Sequence, residues 1–317
     1  MKAGSRIRHM LEYGGIVATM TGVSALPAGA VLGAFRVGAK AAWPWAGRRR
    51  RIGEENLRKC LPELSESERA EILQQSLASL SLAIPEFVCQ KKLGREPERW
   101  AEMEGWEHVE ALVESKRGFF MGSGHFGTWG MLWAVPQIIR KPVALIVKRL
   151  ENPYVDRLVN RLAQDLGCVR VADRGTGAEI VAAVEAGQVA GFFMDQAALP
   201  HQGGKVNFFG HPAWTHWVPY YLALKHDIPF VPIFGVRLGP GRSKTVFRPA
   251  LPAVKTADKM ADLARMAEAM NRELEAIIRA HPGMYMWMHD RFKRVREGAG
   301  PGMERPLIGR LLKDGWD

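Results

Sequence analysis

Residues 118–127 read GFFMGSGHFG, an apolar run of strand length that ends in a glycine-rich turn carrying His125. Three more apolar runs of similar length follow, and turn residues bound each of them. The four runs cover residues 118–122, 143–147, 189–194 and 230–236. Short runs that are rich in Phe, Val and Ile and lie between turn residues are typical of buried strands. The sequence therefore predicts that these runs are strands of one sheet.

Helix-like stretches separate the predicted strands. They cover residues 127–140, 152–166, 176–187 and 213–226, and a further helix is predicted at about 258–280. An amphipathic helix is predicted before the first strand, at residues 66–90, because Leu and Ile recur there at helical spacing. Strands that alternate with helices of this length form a mainly parallel sheet flanked by helices. The predicted fold class is therefore α/β.

Side chains suited to chemistry follow the four predicted strands. They are His125 after the first, Lys148 and Arg149 after the second, Asp195 after the third and Arg237 after the fourth. In an open sheet of this kind, ligands bind beyond the carboxyl ends of the strands. We therefore expect a histidine, a carboxylate and three cations to gather along one rim of the sheet.

His125 is the candidate catalytic residue, because it lies at a strand end between glycines, where an imidazole can face a cleft. An imidazole is a natural general base near neutral pH, and a carboxylate at its other ring nitrogen orients it. A backbone N–H near Gly124 is a candidate donor to an oxyanion. The alternative for a histidine of this kind is a structural hydrogen bond.

The first 60 residues carry much of the net charge of +11, with 11 Lys or Arg against three Glu. Residues 13–35 hold no charged side chain, Pro27 interrupts them, and Trp43 and Trp45 precede four consecutive arginines at 48–51. Aromatic rings beside arginines suit a lipid headgroup region. We therefore predict a membrane-associating helical segment at 1–60, either interfacial or spanning, and an α/β domain at 61–317. The alternative for 1–60 is a helical hairpin that packs on the core.

Neither a disulfide framework nor a metal site is predicted. The three cysteines have no paired spacing, which is typical of free thiols in a reducing compartment. The nearest group of histidines, His201, His211 and His216, does not match the spacing of metal ligands on one helix face. The chain also lacks the repeated pairing of aromatic and basic residues that is typical of nucleic-acid binding.

Five segments of the chain resemble the lipid A biosynthesis acyltransferase family, which includes lauroyl and myristoyl transferases and belongs to the lysophospholipid acyltransferase superfamily. They occur in the same order as in that family: GEENLRKCLPELSESERAEIL at 53–73, EGWEHVEALVESKRGFFMGSGHFGTWGML at 104–132, VKRLENPYVDRLVNRL at 147–162, GFFMDQAALPHQGGKVNFFGHPAWTHWVPYYLAL at 191–224 and MWMHDRFK at 286–293. The resemblance implies transfer of a fatty acyl chain from acyl carrier protein or acyl-CoA to a hydroxyl of a lipid A precursor or a related glycolipid or lysolipid. It implies no metal or organic cofactor, and a location at the cytoplasmic face of the bacterial inner membrane.

The resemblance also implies roles for single residues. The family's catalytic motif is a His followed, after four residues, by Asp or Glu; His125 matches it, but Gly130 stands at the acidic position. Asp195 is the expected substitute, because a carboxylate there partners the histidine in some relatives, and Asp290 is a weaker candidate. If neither serves, the chain is a catalytically impaired, lipid-binding homologue.

Binding residues follow from the same resemblance. Lys148 and Arg149 match the family's basic residues after the second strand, and with Arg237 they are candidates for binding phosphate, or else solvated surface charges. Phe208 and Phe209 fall in a segment that resembles the family's acyl pocket; their alternative is the plain core.

The spacing of the glycines in this turn also allows a second class of function. Gly122, Gly124 and Gly127 spell G-x-G-x-x-G, which matches a dinucleotide-binding fingerprint, and Lys148 and Arg149 would suit a 2′-phosphate. An NADP-binding oxidoreductase is therefore a remote alternative, since nothing else in the chain resembles a hydride-transfer site.

Overall fold

The structure is a computed structural model that describes residues 3–83, 85–87, 101–146, 149–171, 177–239, 241–298 and 316. The helices are α1 (Ala3–Ala25), α2 (Ala28–Ala42), α3 (Gly47–Cys60), α4 (Glu66–Ser81), α5 (Glu110–Glu114), α6 (Val135–Ile139), α7 (Pro153–Asp165), α8 (Gly177–Glu185), α9 (Val218–Lys225), α10 (Lys259–Ala280) and α11 (Lys293–Arg296). The strands are β1 (Ala101–Glu104), β2 (Phe120–Ser123), β3 (Val143–Ile146), β4 (Cys168–Val171), β5 (Val189–Phe193), β6 (Gly203–Phe208), β7 (His211–His216), β8 (Phe230–Gly239) and β9 (Arg242–Phe247).

The main sheet has seven strands in the order β1-β9-β8-β2-β5-β3-β4. All neighbouring pairs in it are parallel except β8 and β9, which form an antiparallel pair. Successive residues of the central strand β2 face opposite cores: Phe120 packs into one hydrophobic cluster, and Phe119 and Met121 into another. Both faces of the sheet are therefore covered, and the predicted α/β class with a mainly parallel sheet is confirmed.

The four predicted strands are confirmed as β2, β3, β5 and β8. Three predicted helices needed correction. The helix predicted at 66–90 is α4, which is shorter than predicted. It begins with a capping box formed by Ser65 and Glu68 and ends at Ser81. The helix predicted at 127–140 is a 3₁₀ segment, Trp129–Ala134, followed by the short α6.

The helix predicted at 213–226 is wrong in its first part, because residues 211–216 form β7 in an antiparallel hairpin with β6. Phe209 and Gly210 join the two strands with φ angles of 51° and 75°. Positive φ at both central residues is the geometry of a tight hairpin turn whose twist matches that of its strands. Successive residues of a strand point to opposite faces, and Ala213 and Trp214 pack into two different hydrophobic clusters. The helix begins only at Val218.

The N-terminal residues form two helices that meet at Pro27, where the chain cannot continue the helical hydrogen bonds. Helix α2 packs on α4, and α1 packs on α7. Asn152, the cap of α7, donates hydrogen bonds to the backbone oxygen of His9 at 2.8 Å and to Glu12 at 2.9 Å. Within the described ranges, no helix is both long enough and apolar enough to cross a bilayer.

Candidate active site

His125 and Asp195 meet at the carboxyl ends of two adjacent parallel strands. The last residues of β2 and β5, Ser123 and Phe193, are paired in register, and each candidate residue lies two positions further along the chain. The ring nitrogen Nδ1 of His125 lies 2.9 Å from Oδ1 of Asp195, and the backbone N–H of His125 donates to Oδ2 at 3.0 Å. A carboxylate only accepts, so Nδ1 carries the proton and Nε2 presents its lone pair.

The carboxylate is held in its ionised form. The side chain of Asp195 is fully buried, whereas 15% of the His125 side chain is exposed. Burial alone would raise the pKa of Asp195, but the charge of His125 and the two hydrogen bonds from that residue outweigh it, and the pKa lies below its ordinary value. An ionised Asp195 is therefore present to stabilise an imidazolium on His125.

Two aromatic rings contact the imidazole and also each other. The ring of Phe193 stacks on it with centroids 4.6 Å apart, and the ring of Trp129 meets it edge to face at 4.9 Å. Aromatic contacts of this kind restrict the side chain to one orientation. The imidazole is thus fixed by a carboxylate at one nitrogen and by contacts with two aromatic rings.

Gly124 is buried directly behind this pair. A Cβ at this position would lie 2.9 Å from the side chain of Leu274 and 3.4 Å from that of Asp195. A larger residue at this position would therefore displace the end of the Leu274 side chain and come into contact with the Asp195 side chain.

A C-terminal segment that the sequence reasoning left without a catalytic role supports the site. The backbone of Met286 donates to the His125 oxygen at 3.1 Å, and Gly127 donates to the Met284 oxygen at 2.8 Å. The backbone N–H of Ala197 donates to Nε2 of His289 at 3.1 Å. Burial lowers the pKa of His289, so its ring is neutral.

Arg291 holds the loop after β5 against the β6–β7 hairpin. Its buried guanidinium donates to the backbone oxygens of Gln196 and Trp214 and to the hydroxyl of Thr215. The MWMHDRFK segment was the only sequence signal for these contacts.

Gly130, at the position where the family motif has an acidic residue, has no room for a side chain. A Cβ there would lie 2.3 Å from the backbone oxygen of Ala83. The 3₁₀ segment that contains Gly130 packs directly on this carbonyl, so an Asp or Glu would need the backbone to move. The carboxylate beside His125 is instead Asp195, which reaches the ring from a different strand.

Two of the other candidate charges, Arg237 and Asp290, bond to groups other than this pair. Lys148 lies outside the described residues, and Arg149 is exposed after β3. Arg237 donates to both carboxylate oxygens of Glu86 at 2.8 Å and to the Gly127 oxygen at 2.9 Å, so its guanidinium is engaged by the protein rather than directed at a ligand. Asp290 accepts from Arg296 with both oxygens at 2.6 Å and does not pair with His125.

Phe208 and Phe209 belong to the core. They are 1% and 7% exposed, and they pack on Tyr285 and Trp287 at the tip of the β6–β7 hairpin. Their positions correspond to the core alternative rather than to the wall of an acyl pocket.

Packing accounts for the three glycines of the apparent dinucleotide fingerprint. A Cβ at Gly122 would meet the ring of Phe230 at 2.4 Å, and one at Gly127, where φ is 53°, would meet the Gly235 oxygen at 2.0 Å. A 3₁₀ segment rather than an α-helix follows them, so no long helix N-terminus faces the turn as a pyrophosphate site requires. Within the described part of the chain, no three His, Cys, Asp or Glu side chains gather closely enough to hold a metal ion.

Comparison with known proteins identifies relatives of this chain. The chain is 28% identical to the lipid A biosynthesis lauroyltransferase of Escherichia coli (strain K12) over 79% of this chain and 81% of that protein. It is 27% identical to a lipid A biosynthesis acyltransferase of Haemophilus influenzae over 81% of each chain, and 24% identical to the palmitoleoyltransferase of Escherichia coli over 81% and 83%.

Among the solved structures that align is the 1-acyl-sn-glycerophosphate acyltransferase PlsC from Thermotoga maritima. It covers 68% of this chain and 90% of its own, with 12% identity and a TM-score of 0.36, a likeness too low to bear on function. The family described as bacterial lipid A biosynthesis acyltransferase, in contrast, matches residues 1–294 of the 317. The chain therefore belongs to the bacterial lipid A biosynthesis acyltransferase family, and it is an acyltransferase.

Proposed function

We propose that this enzyme transfers a fatty acyl chain from a thioester, carried by acyl carrier protein or coenzyme A, to a hydroxyl of a lipid A precursor or a related glycolipid or lysolipid. The observation that carries this proposal is the pairing of His125 with the buried Asp195. Nε2 of His125 makes no hydrogen bond within the described residues, and the side chain is partly open to solvent. A free ring nitrogen opposite an orienting carboxylate is the arrangement of a general base.

The chemistry follows from this arrangement. Nε2 accepts the proton of the acceptor hydroxyl while its oxygen attacks the carbonyl carbon of the thioester. The ionised Asp195 stabilises the imidazolium that forms and keeps Nδ1 protonated. When the tetrahedral intermediate collapses, the C–S bond breaks and the imidazolium returns its proton to the departing thiolate. The products are an ester of the acceptor and the free thiol of the carrier.

Two further roles are proposed on position alone. The backbone N–H of Gly124 is a candidate donor to the oxyanion, because it follows β2 directly at the base of the site. Arg149, which is exposed after strand β3, and Lys148 are candidates for binding phosphate on a substrate.

The N-terminal helices α1 and α2 are proposed as the membrane-facing surface, at the cytoplasmic face of the inner membrane. Leu11 is 72% exposed, Val37 69% and Trp45 82%, although the same helices pack on α4 and α7 with their other faces. Basic residues, among them Arg36 and Lys40, lie beside these apolar side chains and would attract anionic lipids.

The direct test is transfer of a radiolabelled acyl chain to extracted bacterial lipids, with acyl carrier protein and coenzyme A as separate donors. The product is identified after separation and ester hydrolysis, which names both the acceptor and the preferred donor. His226→Ala is the matched control for a substitution of His125, because His226 precedes β8 and lies at the end of the strands opposite to His125. Labelled lipid made by the wild-type protein and by this control is the expected result. An inert wild-type protein with every donor and acceptor would favour the catalytically impaired, lipid-binding homologue instead.

A further inference from the structure

A cleft of about 310 Å³ lies between the first turn of α3 and the C-terminal segment that supports the active site. Arg48 and Arg49 line it from α3, and Lys293 and Arg294 line it from α11. Two separate elements therefore bring four cations to one small space. This cleft is referred to below as the cationic cleft.

The cationic cleft adjoins the loop that carries the catalytic carboxylate. Ala197, two residues beyond Asp195, forms part of its lining, and so does His289. The hydrogen bond from the backbone N–H of Ala197 to Nε2 of His289 joins these two lining residues. A ligand in the cleft would thus contact the same loop that positions Asp195 beside His125.

The cations in the cleft exceed the carboxylates available to neutralise them. Lys293 and Arg294 share one partner, Glu297, at 3.5 and 2.8 Å. The only carboxylate in the lining, Asp290, is already occupied by both of its bonds to Arg296. A positive cleft with spare N–H donors favours an anion with several oxygen acceptors.

The two arginines from α3 have no carboxylate partner in the part of the chain that the structure describes. Arg49 donates to the backbone oxygen of Met288 at 3.2 Å, which leaves other donors of its guanidinium available. The neighbouring Arg50, in contrast, pairs with Glu54 at 3.0 Å. The arginine run is therefore divided: Arg48 and Arg49 line the cleft, and Arg50 forms a surface ion pair.

The start of α3 adds to the positive potential. Ala46 occupies the N-cap position of this 14-residue helix and provides no side-chain hydrogen bond to its first N–H groups. Exposed N–H groups at a helix N-terminus, together with the helix dipole, favour anions. This effect reinforces the arginine side chains, which remain the main feature of the cleft.

We propose that the cationic cleft binds a phosphate on the headgroup of the acyl-acceptor lipid, an inference that rests on the proposed function. Arg48, the first residue that lines the cleft, lies three residues after Trp45, which is 82% exposed on the surface proposed to face the membrane. A ligand held between α3 and the loop after β5 therefore comes from the membrane side. Phosphate binding there holds the headgroup beside His125 while the acyl chains stay near the bilayer.

The test measures binding rather than transfer, in the His125→Ala background, by titration calorimetry. The probes are dihexanoyl phosphatidic acid, dihexanoylglycerol, which lacks the phosphate, and coenzyme A. We expect the dissociation constant for phosphatidic acid to rise about tenfold or more in Arg48→Ala/Arg49→Ala and in Lys293→Ala, since each change removes charge-assisted hydrogen bonds. Dihexanoylglycerol should bind weakly to all variants alike.

Arg51→Ala is the matched control, because Arg51 belongs to the same run and is exposed but does not line the cleft. Equal weakening by Arg51→Ala would mean that general surface charge attracts the lipid, and it would overturn the proposal. Failure of the parent His125→Ala protein, with its cleft intact, to bind phosphatidic acid would also overturn the proposal. Loss of coenzyme A binding alone in the cleft variants would assign the cleft to the donor instead. Thermal melting confirms that each variant is folded, and Lys293→Ala tests the cleft from an element other than α3. Intact binding in a protein that catalyses no transfer would count against the proposed function only.

Discussion

Both oxygens of the Asp195 carboxylate bond to His125, one to the ring nitrogen Nδ1 at 2.9 Å and the other to the backbone N–H at 3.0 Å. The same residue thus supplies the imidazole and helps to hold the carboxylate that orients it. This double contact joins two turns that are 70 residues apart in sequence. It also explains how the chain keeps an oriented histidine although glycine stands at position 130.

The first prediction concerns this pair. Removing the base in His125→Ala is expected to lower kcat about 10²- to 10⁴-fold, the usual contribution of general base catalysis. Asp195→Asn is expected to lower kcat by a similar factor, because the amide can donate to Nδ1 and favour the wrong tautomer. Steady-state transfer of labelled acyl chains gives both values. Asp227→Asn is the control, because Asp227 is exposed and pairs with Lys255 at 2.7 Å; equal losses in it and in Asp195→Asn would contradict the assignment of Asp195.

The second prediction concerns position 130. Gly130→Ala is expected to cost about 1–3 kcal/mol of the free energy of unfolding, because its Cβ would lie 2.3 Å from the Ala83 oxygen. Gly130→Glu is expected to destabilise the protein further and not to raise its activity. Gly239→Ala is the matched control, since a Cβ there meets nothing within 4 Å. A gain of transfer activity in Gly130→Glu would show that the chain is a disabled relative that the family carboxylate can restore.

The third prediction separates a structural role of Arg237 from phosphate binding. Arg237 and Glu86 form a buried ion pair, with 11% and 1% of their side chains exposed. Removing either partner leaves an unpaired buried charge, so Arg237→Gln and Glu86→Gln should each cost about 3–5 kcal/mol of the free energy of unfolding. Denaturant unfolding measures this loss.

A matched pair provides the control for this experiment. Arg242 and Glu102 form an ion pair with 62% and 55% of their side chains exposed, so Arg242→Gln should cost less than about 1 kcal/mol. If Arg237→Gln instead raised the KM for the acceptor without loss of stability, Arg237 would be a ligand-binding residue after all.

The fourth prediction concerns the pH dependence of stability. Burial, reinforced by the charge of Arg291, lowers the pKa of His216 from 6.5 to about 4. The unfolded chain therefore takes up a proton below about pH 6.5, whereas the folded protein does so only below about pH 4. Stability is full above pH 6.5, is lost as the pH falls towards 4 and stays level below it, with a loss on the order of 3 kcal/mol.

Unfolding in denaturant at pH 7, 5.5 and 4.5 checks this dependence against His216→Gln. The wild-type protein should lose more stability between pH 7 and 4.5 than the variant, because the variant has no imidazole to protonate. Parallel curves for the two proteins would show that His216 does not contribute to this loss.

The fifth prediction concerns membrane binding by the N-terminal helices α1 and α2. Leu11→Glu places a charge on the exposed apolar surface of α1 and is expected to weaken binding to anionic lipid vesicles at least severalfold. Flotation with vesicles of defined composition measures the bound fraction. Glu114→Gln is the control, because Glu114 ends α5 and does not belong to α1 or α2. Unchanged binding of Leu11→Glu would place the membrane contact elsewhere.

Local sequence patterns predicted the parts of the fold that local forces determine. The four apolar runs became strands because their side chains must be buried on both faces of a parallel sheet. The placement of His125 and Asp195 just after such runs was enough to predict that they share a rim. The hairpin of β6 and β7 was missed, since the turn at Phe209 and Gly210 depends on two positive φ angles that composition hardly signals.

The sequence by itself determined the α/β class, the segments that resemble the family and the choice of His125 as the candidate base. Only the tertiary structure decided which candidate charges act together, because hydrogen bonding and burial depend on neighbours far away in the chain. It brought Asp195 to His125, paired Asp290 with Arg296 and engaged Arg237 with Glu86. It also showed that the Ala83 carbonyl fills the space where the Cβ of any larger residue at position 130 would lie. A charged side chain has the same formal charge in any sequence, but its partner is selected by packing.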